Sequence, residues 1–209
     1  MDKISLGNII ILSSPSGGGK TTLLKSIVRL INNISAPISY TTRPIRPGEK
    51  EGIDYFFIKE KQFFIMKKKK FFLEYARIFN YYYGISFEEI NKFINNGIDL
   101  ILAINWQGVK RIKYLYPNQT ISIFIIPPSL RVLKHRLFNR NKDYNFVNER
   151  MRYVKNDVIH LKEFDYLIIN DDLDHTILEL YAIILANRLK MRYQKINNKD
   201  LLSSFLLSL

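Results

Sequence analysis

The chain has 209 residues, 47% apolar and 24% charged, enough for one compact domain with a sizeable core and unlike any collagen, coiled coil or disordered chain. It contains no cysteine, which excludes disulfides, thiolate zinc sites and cysteine nucleophiles together. A net charge of +13, from 32 Lys and Arg against 19 Asp and Glu, favours anionic partners, although the Lys-, Asn-, Ile- and Phe-rich stretches are equally what AT-rich codons produce.

No apolar run approaches the roughly 18 residues that span a bilayer, so no membrane partner is expected. The opening MDKISLGNIIILSS has no long apolar stretch ahead of a small-residue cleavage site, and a cytoplasmic protein is expected. In chain order, a strand over 9–12 (IIIL) leads through a glycine-rich turn to a helix that starts near Thr21 and runs through TLLKSIVRLI. From Pro37 to about Asn96 the alternation breaks: turn chemistry (RPIRPGEKEG), an aromatic strand-like DYFFI, then two helices separated by another aromatic segment predict an inserted lobe. Strands follow at 100–104 (LILAI) and 122–126 (SIFII). A helix, LRVLKHRLFNR, comes after the Pro127-Pro128-Ser129 punctuation. Helices over 144–162 and 174–193 flank a strand at 166–169 (YLII), and the terminal KDLLSSFLLSL reads as a docked helix or a subunit contact. Short apolar runs alternating with helical patterns predict parallel strands buried on both faces, hence an α/β fold.

The sharpest motif is SSPSGGGKTT at 13–22, between a strand and a helix, as a phosphate-binding loop requires. Gly17, Gly18 and Gly19 let backbone N–H groups converge on phosphate oxygens, Lys20 reaches the β- and γ-phosphates, and the Thr21 hydroxyl suits Mg²⁺. Ser14 stands where the motif has its first glycine. ATP or GTP is the expected ligand. In the inserted lobe, Arg43 and Arg46 sit on a segment that Pro44 and Pro47 keep extended, a pair suited to an anionic phosphate or simply to solvent. Glu74, in the aromatic FFLEYA, could accept two parallel hydrogen bonds from guanine, whose donor pair adenine lacks; a helix-surface acid is the plain alternative.

Together, SPSGGGKTTLL, SYTTRPIRPGEKEGIDYFF, FLEYA, YYGIS, NWQGV, FIIPPS and IINDDLD resemble the signatures of guanylate kinase, in order and spacing, from about Asn8 to Lys195. The resemblance implies a P-loop NTPase sheet with an inserted GMP lobe and a helical lid, which passes the γ-phosphate of ATP to GMP with Mg²⁺. It implies a core of 1–36, 97–133 and 158–209, a GMP-binding lobe of 37–96 and a lid of 134–157. By position it assigns the GMP phosphate to Arg43, Arg46, Tyr55 and Tyr83, and the base to Glu74 and Ser39. The ATP phosphates would lie in Ser14, Pro15, Ser16, Gly17, Gly18, Gly19, Lys20 and Thr21, with Asn170 and Asp171 beside the adenine. Arg136, Arg140 and Arg150 would act as lid arginines with Lys20 and Arg43 at the transferred group.

The chain also departs from that pattern. Ala103 and Asn105 stand in LAINWQG where the family carries two carboxylates, with Asp99 at the wrong end of the strand to replace them, and Asp171 or Asp172 as candidates on a neighbouring strand. Ile85 replaces a small hydroxyl residue, and Asn80 and Asn139 replace turn glycines. The lost carboxylates leave a catalytically silent binding module as the second reading. Nucleic-acid binding is not expected, since most Phe and Tyr fall within apolar elements. Lys67–Lys70 reads as a solvated helix end, Trp106 as interior packing, and His135, His160 and His175 lack metal-ligand spacing. Oligomeric state carries no sequence signal.

Overall fold

A computed structural model describes residues 6–78 and 80–207; the start of the proposed core, residues 1–5, and the last two residues of the terminal segment lie outside the described part. β1 (Ile9–Ser13), β7 (Asp99–Ala103), β8 (Thr120–Ile126) and β9 (Tyr166–Ile169) form where the four strands are expected, but β9, at the edge of the sheet, is not buried on both faces: Tyr166, Leu167 and Ile169 are exposed. A two-residue strand, β2 (Ile34–Ser35), adds a fifth, and the sheet runs β2-β7-β1-β8-β9 with every pairing parallel.

Side-chain alternation explains why β1 is apolar from Ile9 to Leu12. Ile10 and Leu12 join a core with Leu23 and Ile27 of α1 (Lys20–Leu30) and Leu180 and Ile184 of α7 (Leu173–Arg188). Ile9 and Ile11 face the other way, onto Ile90 and Ile94 of α3 (Phe87–Ile94) and Val109 and Ile112 of α4 (Trp106–Leu115). A strand covered on both faces must be apolar at every position. At the far end of the sheet Asp99 is buried and accepts from the Asn8 backbone at 2.7 Å and from Arg188 Nε at 2.8 Å. It therefore anchors structure there, at the end of β7 away from the phosphate loop.

The inserted segment forms a second sheet, β4-β3-β6-β5, from β3 (Tyr40–Thr41), β4 (Phe56–Phe57), β5 (Phe72–Ile78) and β6 (Tyr81–Ser86). α2 (Glu60–Lys68) covers it through Phe63, which stacks on Phe72 at 4.5 Å. This aromatic layer replaces the aliphatic packing of the first sheet. Lys68, Lys69 and Lys70 are exposed at the end of α2, as expected of a solvated run.

α5 (Leu130–Asn141) and α6 (Tyr144–Val158) pair through Leu133, Leu137, Val147 and Val154. Ser129, Asp143 and Asp172 cap α5, α6 and α7, so Asp172 is spent on the His175 N–H. Asn139 lies inside α5, not in a turn; Lys142 takes the left-handed conformation instead.

Three helical expectations change. The helix over 144–162 ends at Val158 and is followed by a separate 3₁₀ turn at Leu161–Glu163. The helix over 174–193 divides into α7 and α8 (Met191–Asn197), because Lys190 leaves helical backbone while Gln194 Nε2 binds the Arg188 carbonyl. α9 (Lys199–Leu207) forms as a helix, yet Leu201, Leu202, Phe205 and Leu206 are exposed rather than docked in the core. Trp106 is likewise not interior: it is half-buried and stacks on His160 at 3.5 Å.

Candidate active site

The loop between β1 and α1 has the backbone of an anion cradle. Gly17 and Gly19 take φ of 89° and 104°, a region L side chains rarely occupy, and Gly19 opens α1 so that the helix N-terminus faces the loop. A Cβ on Gly19 would collide with Asn170 Nδ2, and one on Gly18 would lie 2.6 Å from Ser14 Oγ. Ser14 is thus accommodated by tucking its hydroxyl under Gly18, where it donates to Pro15 O at 2.8 Å. Lys20 Nζ donates to Ser14 O at 2.6 Å and to Ser14 Oγ at 2.9 Å.

Burial lowers the Lys20 pKa to about 8; Asp157 counteracts this and Arg140 adds to it. Asp157 is itself raised by burial, with Lys20 and His160 pulling the other way. The carboxylate facing the loop lysine therefore comes from α6, and sequence reasoning missed it. Its signal was the seven-residue step from Arg150, two helical turns that place both on one face. Asn105, by contrast, caps α4 by accepting from the Gly108 N–H at 3.4 Å. Thr21 is exposed beside the cradle, as is Asp171. Asn170 is buried, and its amide donates to Gly18 O at 2.9 Å and accepts from Thr176. It props the loop, and its backbone carbonyl accepts from Arg136 Nη2 at 3.0 Å.

A second cluster gathers residues far apart in sequence. Arg43 is 6% exposed and bridges to Glu49 Oε1 at 2.7 Å, with its guanidinium 5.4 Å from the Tyr55 ring. Burial works against its charge, but Glu49 and the Tyr83 hydroxyl outweigh it and raise the guanidinium above its ordinary value. Tyr55 and Tyr83 lie 6.0 Å apart, centroid to centroid. From α5, Arg140 is lowered by burial and then by Arg46 and Arg43. From α6, Arg150 is lowered by burial; its neighbour Glu149 opposes the shift, and Arg140 and Arg46 push the same way as burial. Positive groups from the inserted sheet and from the α5–α6 pair thus face one another, an arrangement that an anion between them would relieve.

Glu74, 4% exposed on β5, lies against α4 near the carboxyl end of β7, where Ala103 pairs with Leu12 just before the loop. Burial pushes its carboxyl up to about 7, and Arg111 opposes the shift. Among the described residues no hydrogen bond contributes to holding that carboxylate. Ile85, its cross-strand partner, is buried and adds no polar group. Ser39 precedes β3 and is half-buried. A buried acid without donors is matched chemically by a ligand that brings two. Among the described residues no three His, Asp or Glu cluster as a metal site. The Thr21 hydroxyl, with phosphate and water oxygens, is a donor set Mg²⁺ accepts.

The guanylate kinase family model matches residues 6–187. The chain is 49% identical over 203 residues to a guanylate kinase of Legionella pneumophila (strain Paris), covering 97% of this chain and 96% of that one. It is 44% identical to a guanylate kinase of Buchnera aphidicola subsp. Schizaphis graminum, over 98% of this chain and 100% of that one. The crystal structure of guanylate kinase from Anaplasma phagocytophilum superposes with a TM-score of 0.76 at 30% identity, covering 90% of this chain and 89% of that one. Cradle, arginine cluster, buried acid and these likenesses agree, and the chain belongs to the guanylate kinase family.

Proposed function

We propose that this guanylate kinase, an ATP:GMP phosphotransferase, divides its work among three bodies: the core at 1–36, 97–133 and 158–209, the GMP lobe at 37–96 and the lid at 134–157. The observation that carries the reading is the facing set of Arg43, Arg46, Arg140 and Arg150, in which burial and mutual repulsion lower the two lid arginines. Ser14, Pro15, Ser16, Gly17, Gly18, Gly19, Lys20 and Thr21 hold the ATP phosphates, with Asn170 supporting the loop and Asp171 at its rim. Arg43, Arg46, Tyr55 and Tyr83 hold the GMP phosphate; Glu74 and Ser39 read the base. Arg136, Arg140 and Arg150 close over the transferred group, neutralise its developing charge and exclude water. Mg²⁺, held through Thr21 and the phosphates, supplies charge neutralisation on the β- and γ-oxygens when bound. Phosphoryl transfer is mainly positioning, so no dedicated general base is assigned. No helix among the described residues is long and apolar enough to cross a membrane; ATP as donor accords with action in the cytoplasm.

The silent-module reading finds no support, because the loop lysine and the arginines all converge. The reading of Glu74 is tested by acceptor kinetics of Glu74→Gln with GMP and AMP. The expected result is a loss of GMP over AMP selectivity by about 100-fold with the KM for ATP nearly unchanged. Retained selectivity would remove Glu74 from base recognition.

A further inference from the structure

β5 is not a regular strand up to Glu74. Phe72 pairs with Ser86 but Glu74 pairs with Ile85, so Leu73 is an extra, bulged residue. A bulge re-aims the side chains beyond it: Phe72, Leu73 and Glu74 are buried in succession, where a regular strand would turn the middle one outward. The bulge is held from α4, where Arg111 Nε donates to Leu73 O. One turn earlier on the same helix face, Gly108 presents bare backbone, and a Cβ there would lie 2.8 Å from Glu74 Cδ and Oε1. From α4, then, Glu74 meets Gly108 and the Arg111 charge. From β6 it meets the apolar Ile85, while Tyr83, Tyr82 and Tyr81 pair farther along, with Ala76, Arg77 and Ile78.

We propose that Arg111 is a positioning residue for guanine recognition: through the Leu73 carbonyl it fixes the bulge that aims Glu74 at the base, and its guanidinium is the positive group that α4 sets beside that carboxylate. The role rests on Glu74 as the base-reading acid. It has a consequence in pH. Glu74 must be ionised to accept both guanine donors, so GMP affinity falls as the solution is acidified through its titration, and removing Arg111 moves that fall to higher pH.

The test is steady-state kinetics and GMP binding of the full chain between pH 6 and 9, for the wild type, Arg111→Gln, Arg111→Lys and Glu74→Gln. For Arg111→Gln the KM for GMP at pH 7.5 should rise about tenfold and the midpoint of GMP affinity move up by about one pH unit. Its KM for ATP and its kcat at saturating GMP should stay within about twofold of wild type. Arg111→Lys restores the charge without the Nε donor, and should recover the midpoint but only part of the KM. The GMP phosphate titrates near pH 6, about one unit below Glu74, so each profile is compared with Glu74→Gln, in which the carboxylate component is absent. Unchanged GMP affinity and midpoint in Arg111→Gln, with selectivity still lost in Glu74→Gln, would overturn the role of Arg111 alone. An equal rise in KM for both substrates would make Arg111 a fold residue and overturn it too. Intact selectivity in Glu74→Gln would overturn the underlying reading of the acid.

Discussion

Burial moves Lys20 down to about 8 and Glu74 up to about 7, so each titrates far closer to neutrality than a solvated residue of its type. A phosphate beside the ammonium, or two N–H donors on the carboxylate, would reverse these shifts, so binding free energy is gained where folding has lost it. For Glu74 the sign is definite. Its folded pKa lies above the ordinary value of 4.5, so its stabilising contribution is full below about pH 4.5 and is lost as pH rises through 7. Glu74→Gln should therefore gain stability over wild type mainly at high pH, with a gain about 2–3 kcal/mol larger at pH 8 than at pH 5. Denaturant melts at the two pH values measure it; an equal gain at both would mean the acid is not held against its charge. The same variant is predicted to lose base selectivity, so on the proposed reading stability and recognition are set against each other at one residue.

At the scale of elements, α4 serves the site twice, through Gly108 and Arg111, although only its first turn carries a recognisable motif. Gly108 is helical, so an alanine there is free of backbone strain and gains helix propensity. Its Cβ meets the movable end of Glu74, not a fixed backbone. Gly108→Ala should therefore fold with unchanged or higher Tm while raising the KM for GMP about tenfold or more and sparing the KM for ATP. A normal KM for GMP would show that Glu74 has room to spare. The α4 contribution also marks the limit of what the sequence disclosed. The core strands were legible because residues such as Ile9–Leu12, buried on both sheet faces, must be continuously apolar. The phosphate loop was legible because its glycines are chemically required. β2 was not, since two residues carry no periodicity, and the bulge at Leu73 leaves no residue-type signature. The break after Arg188 is set by tertiary contacts, its Nε to Asp99 and its carbonyl to Gln194, with no Gly or Pro to announce it. Asp157 and the Trp106–His160 stack depend on how α6 lies across the core, which no local pattern encodes.

At the scale of the whole molecule, the +13 charge has a local expression in arginines that crowd one another across the cleft. On the proposed division into GMP lobe and lid, crowding of this kind would favour an open arrangement until two phosphorylated substrates enter and let the two close. Arg140→Ala should lower kcat by about 100-fold or more with a smaller change in the KM for GMP, while leaving the chain without nucleotide as stable as wild type or slightly more so. A loss of Tm without loss of kcat would reassign Arg140 to structure. The larger question is whether the enzyme works with Ala103 and Asn105 in place of two carboxylates, given that Asn105 is committed to capping α4 and Asp157 of α6 acts electrostatically on Lys20. ADP formation from ATP and Mg²⁺, with GMP, AMP, CMP and UMP offered separately to the wild-type chain, answers it directly. Turnover with GMP and none above background with the other three is the predicted result; GMP that binds in calorimetry but gives no ADP would contradict it.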